Sequence, residues 1–198
     1  MRLVCLGDSI TYGYGVSRDR SWFALLDEAL GCELINHGAN GATVFDMIYF
    51  FQEEVIYEAA TDLLLMGGIN DLLMGRTSKT VGDRIEDIVK LCVEHRIAPK
   101  LATLIEPTEG IAREWDFEEV KVRQFVQRTG EVNDRIFELC RSYGLDCIDV
   151  GSIFREVEDR DSLLMDGLHP NEEGHRKMFE YIKNFYAKYL REEGKKDE

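Results

Sequence analysis

Apolar residues along this chain fall into short continuous runs, which alternate with longer segments of one-face helical spacing. A short apolar run bounded by turn residues is typical of a strand buried on both faces, so the runs predict strands. The predicted strands cover residues 3–6, 33–36, 63–66, 101–105 and 147–150. The helical spacing predicts helices over residues 22–30, 45–57, 81–92, 125–143 and 171–190, the first of them capped by Ser21.

This alternation of strands and helices predicts the fold class. Five strands separated by helices favour an α/β protein with three layers, in which one parallel sheet is covered by helices on both faces. We expect residues 1–190 to form a single domain. Residues 191–198 are almost all charged, and we expect them to form a disordered tail.

Charge and cysteine content narrow the possible partners. The 198 residues carry a formal net charge of -14, which disfavours binding to nucleic acid and to anionic membrane surfaces. No apolar stretch is long enough to cross a membrane, and no leader sequence is evident, so we expect no stable membrane association. The five cysteines are scattered and never form C-x-x-C, which favours reduced thiols and a cytoplasmic location.

Polar motifs follow the predicted strands. Gly7-Asp8-Ser9 ends the first strand, residues 36–43 follow the second, and residues 67–71 follow the third. A fourth motif, residues 166–170, lies just before the last helix. Because the carboxyl ends of parallel strands meet at one edge of a sheet, we expect these four loops to converge there.

The residue types in these loops fit nucleophilic catalysis. Ser9 is a candidate nucleophile and His169 a candidate base, while Asp166 lies three residues earlier, where a turn brings its carboxylate to the imidazole. The Ser9 backbone N–H, Gly41 and the Asn70 amide are candidate donors to a developing oxyanion. The histidines show no metal-ligand spacing, so we predict neither a metal site nor a cofactor.

Four blocks in this order resemble the GDSL family of esterases and lipases, also called SGNH hydrolases. They are G-D-S-I-T around Ser9, N-x-G-x-x-G-x-T ending at Thr43, G-x-N-D over residues 68–71 and D-G-L-H-P over residues 166–170. The resemblance implies a flavodoxin-like five-stranded parallel sheet and ester hydrolysis through an acyl-serine, without a metal. It also implies that Ser9, His169 and Asp166 are catalytic, and that Ser9, Gly41 and Asn70 form the oxyanion hole.

Several alternatives stay open. The substrate is a small-molecule ester, but the resemblance fits acyl esters, thioesters and acetylated sugars alike, and it does not define an oligomeric state. A ligand-binding module without turnover is a hypothesis from another class. Each motif alone is also compatible with a plain turn or helix cap. Candidate substrate-binding residues are Tyr12, Trp115, Phe117 and Leu168, although Trp115 is equally compatible with packing against the long helix.

Overall fold

A parallel five-stranded sheet forms the centre of the protein. The computed structural model describes residues 1–193. The strands are β1 (Arg2–Gly7), β2 (Glu33–Gly38), β3 (Asp62–Met66), β4 (Ala98–Ala102) and β5 (Cys147–Ile148). Their order in the sheet is β2-β1-β3-β4-β5 and every pairing is parallel. This is the predicted α/β class with flavodoxin-like strand order, and it places the topological switch point between β1 and β3.

Helices connect the strands and cover both faces of the sheet. They are α1 (Ser9–Tyr12), α2 (Trp22–Leu30), α3 (Val44–Tyr49), α4 (Ile69–Leu73), α5 (Ser78–His95), α6 (Gly110–Trp115), α7 (Glu119–Tyr143), α8 (Val150–Arg155) and α9 (Glu172–Glu193). Within residues 1–193, no helix is both long and apolar enough to span a bilayer.

Alternation along the strands divides the core into two clusters. Val4 and Leu6 of β1 pack in one cluster with the buried faces of α3, α5 and α7. Leu3 and Cys5 point to the opposite face and pack with α2, α8 and α9, where Trp22 is completely buried. Because successive side chains of a strand alternate between its faces, one continuous apolar run supplies both clusters.

The fourth strand lies three residues earlier than predicted. The apolar run 101–105 predicts a strand there, but β4 ends at Ala102 and Leu104 leaves the sheet. The Asn133 side chain accepts a hydrogen bond from the Leu104 N–H at 2.7 Å and donates one to its carbonyl at 3.0 Å, so the backbone is satisfied without a strand partner. Pro99 has no N–H to donate to a neighbouring strand. It is tolerated in β4 because β5 pairs only with later residues of β4, Leu101 and Ala102.

Other boundaries also differ from the sequence-based expectation. The helix predicted over residues 45–57 is α3 followed by a π-helical turn over residues Gln52–Ile56. The strand predicted over residues 147–150 is shorter, because Asp149 caps α8 by accepting a hydrogen bond from the Ser152 N–H. Helix α9 continues to Glu193, and the remainder of the predicted tail, residues 194–198, lies outside the described residues.

Candidate active site

The turn after β1 holds Ser9 at the carboxyl edge of the sheet. A Cβ at Gly7 would lie 2.1 Å from Thr11 Oγ1 and 2.5 Å from the Met66 carbonyl oxygen, so this close turn requires glycine. Asp8 caps α1 by accepting a hydrogen bond from the Ile10 N–H at 3.0 Å. Ser9 therefore begins a short helix, directly beyond the end of a central strand, and is 6 % exposed.

The carboxyl group of Asp8 is buried beside the serine. Burial raises its pKa to about 6, although the hydrogen bond from the Ile10 N–H and the charge of His169 oppose this rise. The Asp8 carboxylate caps α1, whereas the Ser9 hydroxyl has His169 as its hydrogen-bond partner. We therefore infer a role in shaping the turn, not in proton transfer.

His169 joins Ser9 to Asp166. The Ser9 Oγ atom lies 3.0 Å from His169 Nε2, and His169 Nδ1 lies 2.6 Å from Asp166 Oδ2. Because a carboxylate only accepts, Nδ1 carries the proton, and Nε2 is left to accept from the serine hydroxyl. The structure thus brings these three predicted residues into one connected chain of contacts.

The turn that carries Asp166 fixes the orientation of its carboxylate. The Oδ1 atom accepts hydrogen bonds from the Leu168 and His169 backbone N–H groups, at 3.0 Å and 2.7 Å. Gly167, which lies between Asp166 and Leu168, has a φ of 80°, which glycine adopts without penalty. Burial raises the pKa of the Asp166 carboxyl, but the hydrogen bonds and charge of His169 outweigh burial and hold that pKa below its usual value.

The predicted oxyanion residues lie on two loops that bind each other. The Asn70 amide donates to the Ala42 carbonyl at 2.9 Å, and Asp71 Oδ2 accepts from the Val44 N–H at 2.8 Å. Gly41 directly precedes Ala42. It has a φ of 78°, and the space where a Cβ would stand is open. A cavity of about 260 Å³ is lined by Gly7 and Gly41 together, so the Gly41 loop borders the end of β1.

The four predicted substrate-binding residues occupy different environments. Trp115 contacts the site directly, since its ring stacks at 5.9 Å from the His169 ring, and Phe117 packs on Trp115 at 6.0 Å. Leu168 is 1 % exposed and packs in the core cluster of α3, α5 and α7. Tyr12 is exposed and lines a separate cavity of about 430 Å³ beside α2.

Sequence reasoning assigned no role to His175, which contacts the candidate site indirectly, through Tyr14. The residue is completely buried, accepts a hydrogen bond from the Trp22 N–H at 3.3 Å and lies 3.4 Å from the Tyr14 carbonyl oxygen. The Tyr14 ring in turn lies 4.7 Å from the His169 ring. The only sequence signal was its position six residues after His169, on the buried face of the last helix.

Comparison with known families identifies the family of the chain. A model described as the GDSL-like lipase/acylhydrolase family matches residues 5–177. Because this match covers most of the chain, the protein belongs to the GDSL-like lipase/acylhydrolase family, and membership makes it a hydrolase. A search of curated protein sequences finds no significant match.

Solved structures share the whole fold at low sequence identity. A lipolytic G-D-S-L family protein from Veillonella parvula is 23% identical with a TM-score of 0.80, covering 94% of this chain and 98% of its own. The lipase/acylhydrolase from Enterococcus faecalis is 24% identical with a TM-score of 0.75, covering 93% and 94%. An acetyl xylan esterase is 20% identical with a TM-score of 0.74, covering 94% and 99%. These similarities establish a common architecture along nearly the full chain.

Proposed function

We propose that this protein is a serine esterase that hydrolyses carboxylic esters of small molecules through an acyl-serine intermediate. The observation that carries the proposal is the continuous contact from Ser9 Oγ through His169 to Asp166, at 3.0 Å and 2.6 Å. A serine hydroxyl is a weak nucleophile alone, and an adjacent neutral imidazole oriented by a carboxylate is the arrangement that activates it. The expected cytoplasmic location stays a prediction.

In the first half of the reaction, Ser9 Oγ bonds to the ester carbonyl carbon while its proton moves to His169 Nε2. The carbonyl electrons become an oxyanion, and Asp166 stabilises the imidazolium that forms. The bond to the alkoxy oxygen then breaks, and His169 gives its proton to the leaving alcohol. In the second half, His169 takes a proton from water, which attacks the acyl-serine; the acid leaves and Ser9 regains its proton.

Backbone and amide donors stabilise the oxyanion in this proposal. The Ser9 and Gly41 N–H groups and the Asn70 amide are the three donors. The Asn70 amide has two N–H bonds, and the hydrogen bond to the Ala42 carbonyl occupies one of them and fixes the side chain. A donor that is already held in place costs no reorganisation during the reaction.

A second candidate is removal of acetyl groups from a carbohydrate. The cavity beside Gly41 is lined by apolar side chains such as Met47 and Phe50, but also by the polar side chains of His37, Asn40, Asp46 and Glu54, which offer hydrogen-bond partners to the hydroxyl groups of a sugar. The similarity to an acetyl xylan esterase supports the same candidate. Rates on acetylated xylose and on p-nitrophenyl esters of two to twelve carbons, about the range of common acyl chains, separate the two activities. A thioester substrate is tested with the corresponding acyl thioesters.

Replacing the nucleophile tests the proposed chemistry. Ser9→Ala should lower kcat on p-nitrophenyl acetate by about 10⁴-fold or more, because it removes the hydroxyl that lies 3.0 Å from His169 Nε2. Ser142→Ala makes the same change on the exposed surface of α7 and should leave kcat unchanged. Circular dichroism checks that both variants are folded. Undiminished turnover by Ser9→Ala contradicts the mechanism, and absence of turnover by the unmodified protein on every ester favours a ligand-binding module.

A further inference from the structure

The segment between β4 and α7 brings an indole group to the Asp166–His169 pair. Trp115, the last residue of α6, donates its Nε1–H to Asp166 Oδ2 at 3.3 Å. This is the same oxygen that accepts from His169 Nδ1. The indole ring also lies over the imidazole, with ring centroids 5.9 Å apart and planes inclined by 26°. A single side chain thus contacts both members of the pair.

Helix α6 is attached to the loop that carries the pair. The Thr108 N–H donates to the Gly167 carbonyl at 2.8 Å. A Cβ at Gly167 would lie 2.1 Å from the Ile111 backbone nitrogen, so the two backbones touch where α6 begins. Asp161 accepts from the Thr108 hydroxyl and from Arg113. Trp115 and Asp166 therefore belong to one rigid unit of two chain segments.

The contacts of Asp166 show what the indole adds. Two backbone N–H groups hold Oδ1, and His169 Nδ1 holds Oδ2. The indole N–H is a fourth donor, and it approaches the oxygen that orients the imidazole. Trp115 is half-buried, and its ring occupies space from which water would otherwise compete for that oxygen.

We propose that Trp115 is a positioning residue of the esterase, which holds the Asp166 carboxylate in the orientation that keeps His169 directed at Ser9. This inference rests on the proposed function and concerns the geometry of the pair, not contact with substrate. The competing interpretation is a wall of the acyl pocket, in which Trp115 would influence substrate affinity and chain-length preference alone.

The test separates the contribution of the indole N–H of Trp115 from that of its aromatic ring. Trp115→Phe keeps an aromatic ring beside His169 and removes the donor to Asp166, whereas Trp115→Ala removes both. Glu114→Gln alters the adjacent exposed residue of α6 and serves as the control. We expect Trp115→Phe to lower kcat on p-nitrophenyl acetate by about 5- to 20-fold with KM unchanged, Trp115→Ala to lower it further, and Glu114→Gln to have no effect.

A spectroscopic measurement reports on the hydrogen bond between His169 and Asp166 without any need for turnover. The proton between His169 Nδ1 and Asp166 Oδ2 should give a low-field ¹H NMR resonance, which disappears in His169→Gln. In Trp115→Phe this resonance should move and exchange faster with water, because the carboxylate is less restrained. Recording the resonance in the Ser9→Ala background shows the effect of Trp115→Phe even if the protein hydrolyses no ester. A failure of the positioning role can therefore be distinguished from a failure of the proposed esterase function.

Two results would overturn the positioning role. One is an unchanged resonance with unchanged kcat in Trp115→Phe. The other is a rise in KM that grows with acyl-chain length while kcat and the resonance stay as in the unmodified protein, since this identifies a pocket wall.

Discussion

The two halves of the candidate site are held in place by different means. The Ser9 half comprises the end of β1, the loop 39–43 and the loop 67–71, which follow β1 and its two neighbours in the sheet, β2 and β3. Its segments are joined partly through the backbone, for example by the Ala39 N–H donating to the Gly7 carbonyl at 3.1 Å. The His169 half comprises residues 106–117, which follow β4, and residues 159–170, which follow β5 and α8.

The two segments of the His169 half are joined by one backbone hydrogen bond, from the Thr108 N–H to the Gly167 carbonyl, and by several hydrogen bonds from side chains. Arg160 donates to the Glu106 carbonyl at 2.7 Å, and Trp115 donates to Asp166 at 3.3 Å. The last strand before residues 159–170, β5, contains only two residues. The register of the sheet thus fixes Ser9, whereas local hydrogen bonds fix His169. Substitutions of side chains should therefore displace His169 more readily than Ser9.

The largest effect in this comparison is expected from Asp166→Asn. An asparagine lacks the charge that orients the imidazole and stabilises its protonated form, so kcat should fall by about 10²- to 10⁴-fold with KM nearly unchanged. Steady-state kinetics on p-nitrophenyl acetate measures the change, and Asp134→Asn on exposed α7 is the matched control. A loss below about threefold would show that the turn backbone orients His169 without the carboxylate.

In the Ser9 half, Asn70→Ala should lower kcat by about 10²- to 10³-fold if the Asn70 amide is the proposed oxyanion donor, because this is the usual cost of losing one such donor. The Asp71 contact to the Val44 N–H remains in this variant, so the two loops should stay joined. Thermal unfolding then gives a Tm close to that of the unmodified protein. A change in KM alone would instead assign Asn70 to ground-state binding.

A smaller effect concerns His175 and the stability of the fold. Burial lowers its pKa from 6.5 to about 4, the Tyr14 carbonyl partly opposes this shift, and the charge of His169 adds to it. The native state therefore disfavours protonation, so the stabilisation from His175 is complete above pH 6.5 and is lost as the pH falls toward 4. This contribution amounts to about 3 kcal/mol.

Urea unfolding at several pH values tests whether the stabilisation from His175 is lost as the pH falls. The difference in unfolding free energy between the unmodified protein and His175→Asn should shrink by about 2 to 3 kcal/mol from pH 7 to pH 4. A difference that stays constant over this range would mean that His175 is protonated as easily in the native state as in the unfolded chain.

The strand ends, and the meeting of Ser9, His169 and Asp166 beyond them, could be predicted from sequence, because both depend on local patterns. An apolar run interrupted by Gly7-Asp8-Ser9 marks the end of a buried strand, and parallel topology places such ends at one edge. The limits of β4 could not be predicted, since the apolar run continues past Ala102 and the partner that replaces the sheet is Asn133, about thirty residues away in sequence.

The contact between Trp115 and Asp166 also lay beyond sequence reasoning. It depends on the close approach of Gly167 to the start of α6, which packing decides and no periodicity records. The sequence placed Trp115 in a connecting segment and left pocket wall and core packing as alternatives. Similarly, the environment of His175 depends on its burial against Trp22 and Tyr14, and both of these residues are far from it in sequence.

Covalent labelling of the intact protein by a fluorophosphonate tests the central claim most directly. If His169 activates Ser9, its Oγ atom displaces fluoride from phosphorus, and peptide mass spectrometry should find one adduct per chain, on Ser9. The adduct should be absent in Ser9→Ala and form far more slowly in His169→Gln. An unlabelled protein, or an adduct on another residue with Ser9 unmodified, would contradict the account.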